Sequence, residues 1–368
     1  MRRPVLFGLL AVVLLSIVAS FLLKPPKPII DLKAETLFTL GPVVITNTIL
    51  TSWIVIIFII VVARLATRRM EMVPKGLQNV FEAVLEGLQS LIFTVAGEKS
   101  GRRFFIPIAT IFLYVVIANW FALLPFFNVI GKVEKLGPEG DEFRTTAVVI
   151  QDRGVQLINP GAKNITLSVN ESACANLSGD AKEGCVTQER ERAIEEATKG
   201  KVDGDKYAGV LAPFFRSVNT DLMAPLSLAI MSFIFVEFWG VSSHGFFRYL
   251  SRFFNFGKLL RGKIFDGILD AFIGLLELIA ELARLISFSF RLFGNMLAGE
   301  ILLLVMTFLL PVAFIAVLPF YALELFVGFI QALVFAMLTL VFAVMAVSHH
   351  GEAAEEHAEV EADTNSHH

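Results

Sequence analysis

The sequence predicts an all-α polytopic membrane protein with five to six membrane helices, the last two long, tilted and folded into an intramembrane hairpin, plus a small α+β extramembrane insertion. Three observations carry this. Hydrophobic residues make up 55% of the chain and charged residues only 18%, more apolar surface than a soluble core can hide. The apolar residues fall into separate runs of membrane-crossing length, with lysines and arginines at the ends of those runs. Only one long stretch, 132–216, is polar enough to fold outside a bilayer.

A crossing needs about 20 residues, so Val5–Leu23, Ile49–Ala66, Phe104–Phe127 and Leu222–Val241 each supply one. The first has two readings. Arg2 and Arg3 hold its start inside, as in an extra span or a signal peptide; Ala19-Ser20 would permit cleavage, but the apolar Phe21-Leu22-Leu23 that follows makes the site poor and favours an uncleaved span. The runs Ile268–Leu310 and Val312–Val347 are too long to stand upright, and tilt accommodates them. Pro311 and Pro319 punctuate the link and favour a hairpin there. The organisation is then an N-terminal apolar segment (1–30), a first membrane part (31–131), the insertion (132–216), a second membrane part (217–348) and an acidic tail (349–368).

Basic residues set the orientation. Arg64, Arg68 and Arg69 end the second run and Lys99, Arg102 and Arg103 precede the third, which places that connection in the cytoplasm. Arg248, Arg252, Lys258, Arg261 and Lys263 follow the fourth run and are cytoplasmic by the same rule, so the insertion faces outward. Within it, Thr145–Ile150 and Ile165–Val169 read as strands and Thr187–Thr198 as a helix. Cys174 and Cys185, the chain's two cysteines, are a disulfide candidate in an oxidising compartment. Asn164, Asn170 and Asn176 match the glycosylation sequon, a three-residue pattern that commonly arises by chance. The tail from His349 reads as a solvated, disordered end.

Several chemistries are excluded. Gly257 to Lys263 imitates a phosphate loop, but Ile264 stands where a Ser or Thr hydroxyl would hold magnesium and no strand precedes it. HExxH, CxxC and Gly-x-Ser-x-Gly motifs are absent, so no metal, cofactor or bond-breaking catalysis is expected of this chain alone. A net charge of −3 with basic residues at span ends speaks against nucleic-acid binding.

The informative charges lie inside the apolar sequence. Glu277, Arg284 and Arg291 repeat every seven residues, with Glu281, Ser287 and Asn295 at offsets of three or four, so one helical stripe is polar along its length. That stripe can line a path; alternatively, Glu277, Glu281 and Arg284 are simply solvated at the headgroups. Arg291 lies too deep for snorkelling, and an ionised group at mid-membrane costs about 3 kcal/mol or more unless wet or paired. Its expected partner is a carboxylate of another protein or a water channel. Glu324 and Gln331 share one face of the last run, and Glu300 and Glu324 are the candidates for aqueous access.

At Arg291-Leu-Phe-Gly-Asn-Met-Leu-Ala-Gly-Glu300 the chain resembles subunit a, the stator channel of rotary F-type ATP synthases. Gly41-Pro42, Thr46-Asn47-Thr48, Asn119, Leu123-Leu124-Pro125 and His244-Gly245 extend the match over roughly 36–130 and 217–348. The resemblance implies a helical subunit packed against a rotating ring of small c-subunit hairpins, each with one membrane carboxylate. It further implies b subunits of a peripheral stalk, the rest of the synthase complex and a bacterial plasma membrane. An ion, most simply a proton, would enter by one half-channel, ride the ring and leave by another. Arg291 would be the essential charge between them. Asn295, Glu300, Glu324, Gln331, Glu277, Arg284, Ser287 and Asn119 would lie along the pathway, with Gln331 facing Arg291. A secondary ion-coupled transporter is the alternative, but it would carry inverted repeats, and no clear repeat is visible.

Overall fold

The computed structural model describes residues 34–41, 43–124, 127, 130–135, 146–151, 155–157, 163–167, 169, 174, 178, 180–199, 206–246, 249, 264–309 and 313–348. The Val5–Leu23 run, the basic residues Arg248, Arg252 and 257–263, the sequons at Asn170 and Asn176, Pro311 and the tail from His349 lie outside the described residues.

The elements in chain order are β1 (Thr36–Leu40), β2 (Val43–Thr46), α1 (Asn47–Thr67), α2 (Leu77–Phe121), β3 (Ile130–Lys135), β4 (Thr146–Gln151), β5 (Val155–Leu157) and β6 (Lys163–Thr166). There follow α3 (Asp180–Thr198), β7 (Lys206–Pro213), a 3-10 turn (Val218–Thr220), α4 (Met223–His244), α5 (Ile264–Leu309) and α6 (Ala313–Ser348). Among the described residues, four helical stretches are long and apolar enough to cross a membrane: α1, α2, α4 and Val317–Val347 of α6. The all-α polytopic reading therefore holds. At about 1.5 Å per residue α5 and α6 run to roughly 69 and 54 Å, well beyond a hydrocarbon core of about 30 Å, so neither fits upright.

One compact unit comprises residues 1–51, 122–217 and 298–324, as far as they are described. In it, β1 and β2 form an antiparallel hairpin around Gly41, whose φ of 62° is the left-handed conformation glycine tolerates best. Thr46 caps α1 by accepting the Ile49 N–H at 3.4 Å. Asn47 donates from Nδ2 to the Pro213 carbonyl at 3.2 Å, and Thr51 accepts the Arg216 N–H at 3.4 Å, so the last strand of the insertion is tied to the first turn of α1.

The insertion is a five-stranded antiparallel sheet of order β5-β3-β7-β4-β6. The latest strand in sequence, β7, sits centrally between β3 and β4, with Val133 opposite Leu211 and Val149 opposite Ala208. Sequence reading anticipated two of these strands: β4, displaced by one residue, and β6, which ends at Thr166 and not Val169. Helix α3 begins at Asp180, seven residues before the expected Thr187. A disulfide joins Cys174 to Cys185 in α3.

The second unit comprises residues 52–121, 218–297 and 325–368, as far as described. Its core joins Phe104, Ile108 and Val115 of α2 to Leu292 of α5 and to Ala332, Ala336, Leu340 and Ala343 of α6. In lipid, packing and interhelical hydrogen bonds hold helices together, and small residues allow the close approach this needs. The alanines of α6 provide that approach. Phe288 packs against both Phe335 and Phe342, and Asn295 meets Gln331, so α5 and α6 run antiparallel. Ser52 and Tyr114 (2.7 Å) join α1 to α2, and Ser232 and Thr339 (2.8 Å) join α4 to α6. Each such bond contributes about 0.6–2 kcal/mol in a membrane.

Two expectations are corrected here. The third apolar run was read as Phe104–Phe127, but α2 starts at Leu77 and bends at Gly97, where φ is 70° and ψ 165°. Its first arm was passed over because glutamates and glutamines interleave its apolar residues. Pro319, assigned to the link between the last two helices, lies inside α6. Membrane helices tolerate an internal proline because neighbouring groups satisfy the freed carbonyl.

Candidate functional site

Each charged or amide side chain of α5 takes its environment from its place around the helix. Phe288, Leu292 and Met296 form the buried face, whereas Ser287, Arg291 and Asn295 are exposed. Beside this polar stripe the exposed surface is apolar: Leu282, Ile286 and Phe290 are each more than half exposed. Arg291 makes no hydrogen bond or ion pair among the described residues. A permanent cation therefore stands on a greasy helix face with no partner from its own chain. Gly294 shares that exposed surface and leaves room for a neighbour to approach.

One turn along, Asn295 donates from Nδ2 to Oε1 of Gln331 at 2.7 Å. Gln331 is buried, and its Nε2 has no hydrogen-bond partner among the described residues. Gln331, expected to face Arg291, is bonded to Asn295, and Arg291 makes no bond to it among the described residues. Residues four apart on a helix differ by about 40° in direction, and here it is the asparagine that reaches α6.

Asn119 is wholly engaged. Its Nδ2 donates to the Gly328 carbonyl of α6 at 3.1 Å, and its Oδ1 accepts from Nδ2 of Asn219 in the 3-10 turn at 2.6 Å. Beside it, Trp120 donates to the Leu325 carbonyl at 3.0 Å. These bonds fix α2 against α6 one turn before Gln331.

Glu281, Arg284 and Glu277 cluster nearer the start of α5. Glu281 is buried, Arg284 approaches it to 3.5 Å, and the Arg284 guanidinium lies 3.9 Å from the centre of the Phe342 ring. Glu277 is half-buried. The simple picture of three solvated headgroup residues does not describe Glu281.

In the other unit, Glu324 is buried and Glu300 half-buried, close enough for the two carboxylates to influence each other. The Glu324 carboxylate fills the space that a side chain at Gly299 would need. Sequence reading missed Gly299; the only available signal was a glycine next to a carboxylate within a helix. Ser232, Thr339 and Asn219 were missed as well, because uncharged small residues do not stand out in apolar sequence. Among the described residues no group of three or more His, Cys, Asp or Glu converges that could hold a metal ion.

Each unit thus holds polar groups within long apolar helices: a cation and an amide pair in one, two carboxylates in the other. Residues 49–344 match the family model described as ATP synthase A chain. The chain belongs to the ATP synthase A chain family. It is 26% identical over 289 residues to ATP synthase subunit a of Campylobacter jejuni subsp. jejuni serotype O:23/36 (strain 81-176), covering 78% of this chain and 84% of that one. Against ATP synthase subunit a of Campylobacter curvus identity is 27% over 304 residues, covering 83% and 89%. The corresponding protein of Desulfosudis oleivorans gives 27% over 301 residues, covering 82% and 88%. The resemblance drawn from Arg291 to Glu300 is borne out, and this member of the A chain family is a multi-pass membrane subunit of an ATP synthase complex.

Proposed function

We propose that the chain conducts protons through two half-channels facing a rotating ring of c subunits, so that the transmembrane gradient drives rotation and ATP synthesis. The observation that carries this is Arg291: an unpartnered guanidinium on an exposed apolar face of α5. A guanidinium stays charged at any accessible pH, and its natural complement in a bilayer is a carboxylate brought by another subunit. A ring carboxylate passing Arg291 is driven to release its proton, and free protons are repelled from crossing there. Asn295 and Gln331 hold α5 and α6 in register beside the charge, Asn119 positions α6, and Glu300 with Glu324 receives protons from one aqueous side. Ser287 borders the ring-facing surface. The chain contributes no ATP chemistry of its own.

The same reading places the protein in a bacterial plasma membrane, with the b subunits of a peripheral stalk as stator partners. Affinity purification of the tagged chain from membranes in mild detergent should recover the small ring subunit with it. Recovery of the chain alone, together with gradient-driven uptake of a solute, would instead support a secondary transporter.

Orientation has its own test. The charge pattern places the sheet and α3 outside the cytoplasm. Both natural cysteines are in the disulfide, so an added thiol is unambiguous. Glu191→Cys, at an exposed position of α3, should react with a membrane-impermeant maleimide added to intact spheroplasts. Reaction confined to inside-out vesicles would reverse the topology.

A further inference from the structure

We propose that Glu281 is a proton-carrying carboxylate of a second aqueous path, which runs inside the bundle between α4, α5 and α6 and not along the exposed face that bears Arg291. This rests on the proton-conducting reading above and assigns a residue to the side of Arg291 opposite Glu300. Glu281 lies ten residues before Arg291 and Glu300 nine after it, so α5 carries a carboxylate on either side of its fixed cation. Only 5% of Glu281 is exposed. A buried carboxylate in apolar helices persists only with charge compensation and polar surroundings.

Both are present. Arg284 compensates the charge at 3.5 Å, while the Phe342 ring beneath its guanidinium fixes it from the other side. Next to the pair is a cavity lined by Ser232 and Val236 of α4, Glu281, Arg284 and Phe288 of α5, and Phe342 of α6. A serine hydroxyl, a carboxylate and a guanidinium offer the two to four polar partners that a buried water requires. The Ser232 hydroxyl is also joined to Thr339, which extends the polar lining to a second residue of the bundle interior. A purely structural ion pair would need neither the cavity nor a serine opposite it.

The step is a simple relay. A hydronium in the cavity gives its proton to a Glu281 oxygen and becomes water; the resulting acid returns the proton to a water on the far side. Nothing else is consumed. Arg284 keeps its charge throughout the relay.

The test uses the intact synthase in inverted membrane vesicles, with assembly followed by the amount of membrane-bound complex. Glu281→Gln should reduce ATP-driven proton pumping about tenfold or more, a loss consistent with removing a positioned proton-transfer group. Glu281→Asp should retain clearly more pumping than Glu281→Gln. The double change Glu281→Gln/Arg284→Gln restores neutrality, and recovery of pumping in it would show a structural pair and overturn the relay. Equal impairment by Asp and Gln would do the same. Val236→Cys, or Ala229→Cys if the first does not pump, should make the remaining pumping sensitive to Ag⁺; insensitivity of a pumping variant would mean the cavity is not on the path. Arg291→Ala, measured in parallel, separates the two levels. Its failure alongside normal pumping in Glu281→Gln overturns this path alone, whereas normal pumping in both overturns the proton-conducting reading itself.

Discussion

Arg291→Ala is expected to abolish ATP-driven proton pumping while the subunit still assembles. The side chain is exposed and makes no hydrogen bond or ion pair among the described residues, so its removal breaks no such link in the fold. What disappears is a charge that costs about 3 kcal/mol or more to keep at mid-membrane, a cost with no structural return inside this subunit. Without it, a ring carboxylate has no reason to give up its proton at this point, and the barrier between the half-channels falls. Passive proton leak should therefore rise as pumping vanishes. Each elementary charge crossing about 100 mV releases about 2.3 kcal/mol, so even a modest leak dissipates the drive for synthesis. Normal quenching of a pH-sensitive dye in vesicles carrying Arg291→Ala would remove the basis of the functional assignment. Arg291→Lys separates charge from chemistry. Lysine is a compact point charge that can release its proton, whereas the planar guanidinium cannot, so strong impairment is expected although the nominal charge is kept.

What the sequence disclosed follows from which properties hydropathy and charge can register. Arg291, Glu300 and Glu324 stood out because ionised residues are rare in apolar runs, and α1 and α4 because their runs have the length of a single crossing. The first arm of α2 went unread because Glu82, Glu86 and Gln89 interrupt its apolar spacing, and the bend at Gly97 follows from one backbone angle. In the insertion, β3 carries two lysines and a glutamate, and β5 has three residues. Neither has the alternation that marks a strand; pairing with β7 and its neighbours defines them. The site was legible as a set of residues but not as a set of contacts. That Gln331 bonds Asn295, that Asn119 is clamped between Gly328 and Asn219, and that Gly299 makes room for Glu324 depend on how helices meet, which no single stretch of sequence encodes.

The contact at Gly299 leads to the second large effect. Glu324 is buried, its Oε1 has no hydrogen-bond partner among the described residues, and its carboxylate sits in the notch left by Gly299, under the influence of Glu300. We propose that the two carboxylates act as one proton-accepting unit. Glu324→Gln and Glu300→Gln should each slow ATP-driven pumping by about tenfold, a transport loss on the scale of removing a positioned proton-transfer group. The double substitution should be no slower than the worse single one, because losing either member already disables the unit. Residues in contact typically show coupling of about 0.5–3 kcal/mol, readily resolved from such rates. Gly299→Ala adds a geometric test: a methyl group there displaces the Glu324 carboxylate without altering any charge. It should match Glu324→Gln in the wild-type background and add little once Glu324 is already glutamine. Independent, multiplicative losses across this set would show that the glutamates act separately and that Gly299 is an ordinary helix residue. Convergence of all the variants on one residual rate would place the outward half-channel at the notch between Gly299 and Glu324.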